Sequence, residues 1–116
     1  HNQQAGCVCY TGTHDNDTPA GWYANPGEAE RAFARQYLGA ENAEGVRQAL
    51  LRAGQGSVAE LFVAQLQDYL GLGSQARINV PGVAEGNWRW RLTALPPMTL
   101  ASEIRQLTYT YGRCGA

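Results

Sequence analysis

The sequence predicts an α/β chain of parallel strands and helices that is incomplete by itself. Two short apolar runs, Cys7-Val8-Cys9-Tyr10 and Leu61-Phe62-Val63-Ala64, have the length of buried strands. Helical patterns lie between them, and strands that alternate with helices suggest parallel crossover units. Two parallel strands cannot make a closed sheet, so each is expected to lack neighbours within this chain.

Residues 7–12 read as the first strand, and residues 13–27 as a loop rich in Gly, Asn, Asp and Pro. Asn25-Pro26-Gly27 is a turn signal, with Pro26 suited to the first turn of a helix. The stretch Glu28 to Leu38, with early acids and Gly39 at its end, predicts a helix of about three turns. Val46, Ala49, Leu50 and Ala53 recur at helical spacing over residues 44–53, which Gly54 and Gly56 close, so residues 28–53 hold helices. Residues 57–66 read as a strand buried on both faces, with a helix as the competing reading that periodicity cannot exclude. Residues 67–92 read as a long loop. After Pro96-Pro97, Thr99 or Ser102 could cap a last helix over 99–111. There is no internal repeat and no low-complexity segment.

A hydrophobic content of 44% against 16% charged residues describes a globular chain. At this length, folding can bury roughly two-thirds of the unfolded surface. A net charge of -1 gives no electrostatic case for nucleic acid or an anionic membrane as a partner. No apolar run approaches the ~20 residues of a membrane helix, and no signal peptide is visible. The chain starts at His1 rather than Met, as expected of processing or of a piece of something longer. Cys7, Cys9 and Cys114 lack framework spacing and read as buried free thiols in a reducing compartment, which favours a cytoplasmic location. With no CxxC or HxxxH pair, neither a metal nor another cofactor is expected.

The chemistry concentrates in Tyr10-Thr11-Gly12-Thr13-His14-Asp15-Asn16-Asp17-Thr18, where a strand stops and delivers His-Asp-Asn-Asp onto a loop. In barrel enzymes, loops at the carboxyl ends of strands carry the catalytic groups. A plain polar turn is the bland alternative, since Asn and Asp dominate turns. A haloacid-dehalogenase reading of Asp15-x-Asp17 fails because Pro19 stands where Thr or Val is needed. The spacing of His14, Asp15 and Asp17 is not diagnostic of a metal site, and Asp17 reads as a supporting or turn-forming acid.

Tyr10 to Thr18 resembles the signature after the seventh barrel strand of the amylomaltases, the 4-alpha-glucanotransferases or disproportionating enzymes of the alpha-amylase clan. Gly21-Trp22-Tyr23 continues the resemblance. Gln67-Asp68, Leu72-Gly73-Ser74 and Ala76-Arg77-Ile78-Asn79-Val80-Pro81-Gly82 are similar to the segment after the eighth strand. Gly86-Asn87-Trp88-Arg89-Trp90-Arg91-Leu92 is similar to the block that follows. The resemblance is weaker in residues 39–52 and after Leu92. It implies the C-terminal portion of a (β/α)8 barrel, residues 1–116 being one segment of a single catalytic domain that transfers alpha-1,4-glucan chains between maltooligosaccharides with retention. Retention needs two carboxyl groups about 5 Å apart, a nucleophile and an acid/base. By resemblance Asp15 is a third carboxylate, which binds the hydroxyls of the distorted sugar and favours the oxocarbenium-like transition state. His14 would contact the same sugar, Asn79 would lie on the acceptor side, and Asn16 and Trp22 would bind substrate. The implied partners are maltooligosaccharides or starch- and glycogen-derived glucans, together with the remainder of the barrel.

The family's Gly-x-Arg-x-Asp-His and Glu-Asp-Leu-Gly blocks, which carry the nucleophile and the acid/base, do not occur in this chain. The 116 residues alone are therefore expected to be inactive. Glu60, Glu85 and Glu103 have no recognisable partner carboxylate. Trp88 and Trp90 alternate like a strand face and favour core packing. Arg89 and Arg91 would then point the other way, toward acids or solvent. Asn79 could equally support the Pro81-Gly82 turn. Two other classes compete: a non-catalytic glucan-binding module using Trp22, Trp88 and Trp90, and a fragment that self-associates through unpaired strands.

Overall fold

The computed structural model describes residues 1–115. In chain order it contains strand β1 (Val8–Tyr10), helices α1 (Pro19–Ala24), α2 (Glu28–Leu38) and α3 (Ala43–Gln55), strand β2 (Leu61–Val63), helix α4 (Leu66–Leu70), a 3₁₀ turn (Ser74–Ala76) and helix α5 (Met98–Thr110). The two strands pair in parallel, with Val8 opposite Leu61, Cys9 opposite Phe62 and Tyr10 opposite Val63. Residues 61–63 are therefore strand rather than helix.

Successive side chains on a strand point to opposite faces, and only one face of this pair is covered. Cys9 is buried, and the Phe62 ring lies so close to α3 that a Cβ on Gly54 would stand 2.1 Å from its Cε2 atom. On the other face Val8, Tyr10, Leu61 and Val63 are exposed. The expectation of a strand buried on both faces is thus corrected. The helices of this chain cover one side of two strands and supply nothing for the other.

The core sits between the covered face and the helices, around Val46, Leu51, Ala59 and Ala76. Helices α1 and α2 both pack on α3. Arg47 of α3 pairs with Glu44, which it holds below the usual carboxylate range. The same guanidinium donates to the carbonyls of Asp68 at 2.8 Å and Tyr69 at 3.3 Å, tying α3 to the end of α4.

Several element boundaries differ from the sequence reading. The 13–27 loop contains α1, because Thr18 accepts a hydrogen bond from the Gly21 N–H at 3.1 Å and Pro19 occupies the first helical position. Pro26 lies outside α2, whose N-cap is Gly27; Gly39 ends that helix in the left-handed conformation at φ 65°. Gly54 lies inside α3, and Gly56 caps it. The 67–92 loop opens inside α4, which the Gln65–Asp68 capping box initiates. Neither Thr99 nor Ser102 caps α5: the helix begins at Met98 after Pro97, and the Ser102 hydroxyl donates back to the Met98 carbonyl at 3.1 Å. Residues 88–90 form no strand, and Trp88 takes a left-handed φ of 63°. Of the thiols only Cys9 is buried; Cys7 is half-buried and Cys114 exposed.

The segment after the C-terminal helix is tied back by Arg113. Its guanidinium donates to the carbonyls of Gln55 at 2.6 Å, Ser57 at 2.9 Å and Ala59 at 3.0 Å, from the end of α3 to the approach to β2. Arg113→Met should lower stability by about 1–2 kcal/mol, since part-buried carbonyls lose a charged donor. Thermal denaturation measures this, and an unchanged midpoint would mean that water replaces the guanidinium without cost.

Candidate active site

Because the strands are parallel, the segments that follow them leave the sheet at the same end. The first, from Thr11 to Thr18, carries His14 and Asp15; the second runs through α4 and the 3₁₀ turn to Asn79. Thr11 donates from its hydroxyl to Asp68 Oδ2 at 2.5 Å, and Gln65 Nε2 donates to the Thr13 carbonyl at 2.7 Å. Ser74 Oγ donates to Asp17 Oδ2 at 2.6 Å. Burial pushes the Asp68 carboxyl above the usual range, against the pull of the bonds from Thr11 and the Gln65 N–H and the charge of Arg47. Asp68 is only 2% exposed and ties the two segments from within.

These ties bring together three of the residues singled out from the sequence. Asn79 Nδ2 donates to Asp15 Oδ1 at 2.6 Å, and His14 Nε2 lies 3.3 Å from the same oxygen. The Asn79 N–H donates to the His14 carbonyl at 3.1 Å. Asp15 keeps 47% of its side chain exposed, enough to meet a ligand. Among the described residues its Oδ2 accepts no hydrogen bond, which leaves its acceptor capacity unspent. The His14 ring packs on Trp88, with centroids 5.0 Å apart and planes tilted by 39°. Beside it lies a depression of about 400 Å³, lined by His14, Gln65, Gln67, Ile78, Trp88, Trp90 and Arg91.

The other sequence candidates lie apart from this group. Asn16 Oδ1 accepts from the Thr13 N–H at 2.7 Å and its hydroxyl at 3.0 Å, which closes the turn that presents His14 and Asp15. Trp22 sits half-buried on α1, edge-on to Tyr23 at 6.3 Å. Among the described residues no hydrogen bond or aromatic contact joins it to His14, Asp15 or Asn79. Asp17 supports the loop through Ser74 and the Thr18 N–H. The Val80–Val83 turn, with Gly82 at φ 79°, is held by Asn87 rather than Asn79: Asn87 accepts from the Val80 N–H at 2.9 Å and donates to the Val83 carbonyl at 2.8 Å.

Trp88 is 56% exposed, which corrects the core-packing reading. Arg91 donates to the Trp88 and Trp90 carbonyls, and neither Arg89 nor Arg91 pairs with an acid among the described residues. The sequence reading passed over Arg77, which donates to the Asp15 and Asn79 carbonyls. Among the described residues no group of three His, Cys, Asp or Glu side chains could hold a metal ion.

With Asp17 and Asp68 committed to the scaffold, Asp15 is the accessible carboxylate of the site. Glu60, Glu85 and Glu103 are exposed on separate parts of the chain. The arrangement can hold one fixed negative charge beside an imidazole and an amide. Among the described residues it contains no second accessible carboxylate for a two-carboxylate glycosyl transfer.

Comparison with known proteins assigns the chain to a family. The family model described as 4-alpha-glucanotransferase covers residues 1–98. The 4-alpha-glucanotransferase of Clostridium butyricum is 41% identical over 116 residues, covering 98% of this chain and 24% of that protein. The enzyme of the same name from Synechocystis is 50% identical over 109 residues, covering 91% of this chain and 21% of that protein. The solved amylomaltase of Streptococcus agalactiae, in complex with acarbose, superimposes with a TM-score of 0.91 at 28% identity, over 99% of this chain and 23% of that one. The chain thus spans between a fifth and a quarter of the length of these relatives. With a family model matched over most of its length and an α/β pair of parallel strands that superimposes on an amylomaltase, this chain belongs to the 4-alpha-glucanotransferase family.

Proposed function

We propose that this chain is the C-terminal portion of a (β/α)8 barrel 4-alpha-glucanotransferase. It would supply Asp15 and His14 to an active site whose nucleophile and acid/base lie on the rest of the barrel. The supporting observation is the Asn79–Asp15–His14 group at the carboxyl ends of two parallel strands whose other face, Val8, Tyr10, Leu61 and Val63, is open. In a barrel that face would be covered by the remaining strands. The substrates would be maltooligosaccharides and longer alpha-1,4-glucans.

In this reading Asp15 binds hydroxyls of the sugar being distorted, and its charge opposes the positive charge that grows on the ring in the transition state. Asn79 holds Oδ1 and leaves Oδ2 for the sugar. His14, fixed against Trp88, reaches the same sugar through a ring nitrogen. Asn16 shapes the loop, and Trp22 would meet the glucan only in the complete cleft. Free thiols suit a reducing compartment, and the cytoplasm remains the proposed location.

Glucose release from maltotriose, with product lengths followed by chromatography, tests the proposal on this chain and on the polypeptide of the complete reading frame. Activity in the complete protein alone, with longer maltooligosaccharides appearing, is expected. Turnover by the 116 residues themselves would overturn it and return attention to Glu60, Glu85 and Glu103.

A further inference from the structure

We infer that Arg77 is a positioning residue for Asp15. Its guanidinium joins the main chains of the two active-site loops and so sets the hydrogen bond that Asn79 gives to the Asp15 carboxylate. Nη2 donates to the Asp15 carbonyl at 2.6 Å, and Nε donates to the Asn79 carbonyl at 2.9 Å. One planar fork thus spans two segments 62 residues apart in sequence. Among the described residues it meets no carboxylate, so its charge acts on these two carbonyls. Charge-assisted bonds from a rigid fork fix geometry better than a lysine ammonium can.

The consequence lies in what the fork holds. Asn79 can give its 2.6 Å bond to Oδ1 only while the two main chains keep this separation. Among the described residues, the one main-chain to main-chain bond between Asn79 and the first loop is its N–H to the His14 carbonyl at 3.1 Å. With Arg77 removed, the Asp15 backbone loses its tie to the second segment. The carboxylate can then turn away from the sugar while the rest of the cleft still binds it. Arg77 therefore acts through Asp15 and never meets the substrate. The inference rests on the reading that Asp15 serves glucan transfer.

The test is steady-state kinetics of maltotriose disproportionation by the complete enzyme, for Arg77→Met, Arg77→Lys, Asn79→Ala, the Arg77→Met/Asn79→Ala double variant and Asp15→Asn. Arg77→Met should lower kcat by about 10- to 100-fold, the scale of a misplaced catalytic group, with KM within about twofold. Arg77→Lys should restore part of kcat. In the double variant the losses should combine to less than their product, because both changes release the same carboxylate. Normal kcat in Arg77→Met beside an inactive Asp15→Asn would overturn the positioning role alone. So would a loss that multiplies in full with Asn79→Ala, or one that tracks only a lower thermal midpoint. If Arg77→Met yields no folded enzyme, Arg77→Lys decides: full kcat overturns the role, and a lowered kcat with unchanged midpoint supports it. Normal turnover in Asp15→Asn would overturn the functional reading itself, and the Arg77 inference with it.

Discussion

Asp15→Asn in the complete enzyme should lower kcat for maltotriose disproportionation by about 10²–10³-fold, the cost of removing one preorganised transition-state contact, and leave substrate binding largely intact. Asparagine keeps the shape of the side chain and an oxygen able to accept the 2.6 Å bond from Asn79. What it removes is the negative charge, and that charge matters most when the sugar ring turns positive. A contact that strengthens only in the transition state appears in kcat rather than in KM. Steady-state kinetics with matched binding measurements separates the two. A variant with near-normal turnover would end Asp15's assignment as the transition-state carboxylate. Equal losses in binding and turnover would mark it as an ordinary substrate contact.

Gly54→Ala should cost about 3 kcal/mol of stability, at the upper end of ordinary overpacking. The added Cβ would stand 2.1 Å from Phe62 Cε2, 2.4 Å from Cζ and 2.7 Å from Cδ2. Phe62 is anchored in β2, so either its ring must turn out of its packed position or α3 must move off the sheet. Gly27→Ala is the comparison: nothing lies within 4 Å of its added Cβ, so it meets no clash, and as the N-cap of α2 it should cost less than about 1 kcal/mol. Thermal unfolding of both variants in the complete protein should show the clearly larger fall in midpoint for Gly54→Ala. Similar midpoints would mean that the helix yields to the ring more easily than close packing suggests.

The sequence disclosed the parts of this molecule whose causes are local. Helix α2 was legible because its acids and Gly39 mark its two ends within the segment itself. The strand at Val8–Tyr10 was legible because an apolar run stops against a polar loop. Helix α1 was missed although Thr18-Pro19 is a cap followed by proline; the density of Gly, Asn and Asp around it read as loop. Helix α4 was missed because its capping box uses Gln65 and Asp68 rather than Ser or Thr. Trp88 and Trp90 mimicked strand alternation because a positive φ at Trp88 leaves no mark in the spacing of residue types.

At the site, His14, Asp15 and Asn79 were named through the family resemblance, whereas the bond between Asn79 and Asp15 was not foreseen. Arg77 was invisible as a tie because its acceptors are main-chain carbonyls, which carry no sequence signal. Asn87 was overlooked for the same reason: it holds the turn from the far side by main-chain contacts. The open face of the sheet lay outside any local pattern, since exposure of a strand face depends on which other elements pack against it.

The ties among the loops bear on inheritance. Among the described residues, every hydrogen bond that holds the Asp15 side chain or its carbonyl comes from residues 77–79, on the neighbouring segment of the same chain. A recombination event that exchanged this stretch between two relatives would carry the carboxylate together with the groups that aim it. In the proposed barrel, part of the seam of such a chimera would fall on the exposed face of Val8, Tyr10, Leu61 and Val63, where shape and volume are the requirement, and hydrophobic surfaces tolerate divergence in sequence when volume is kept.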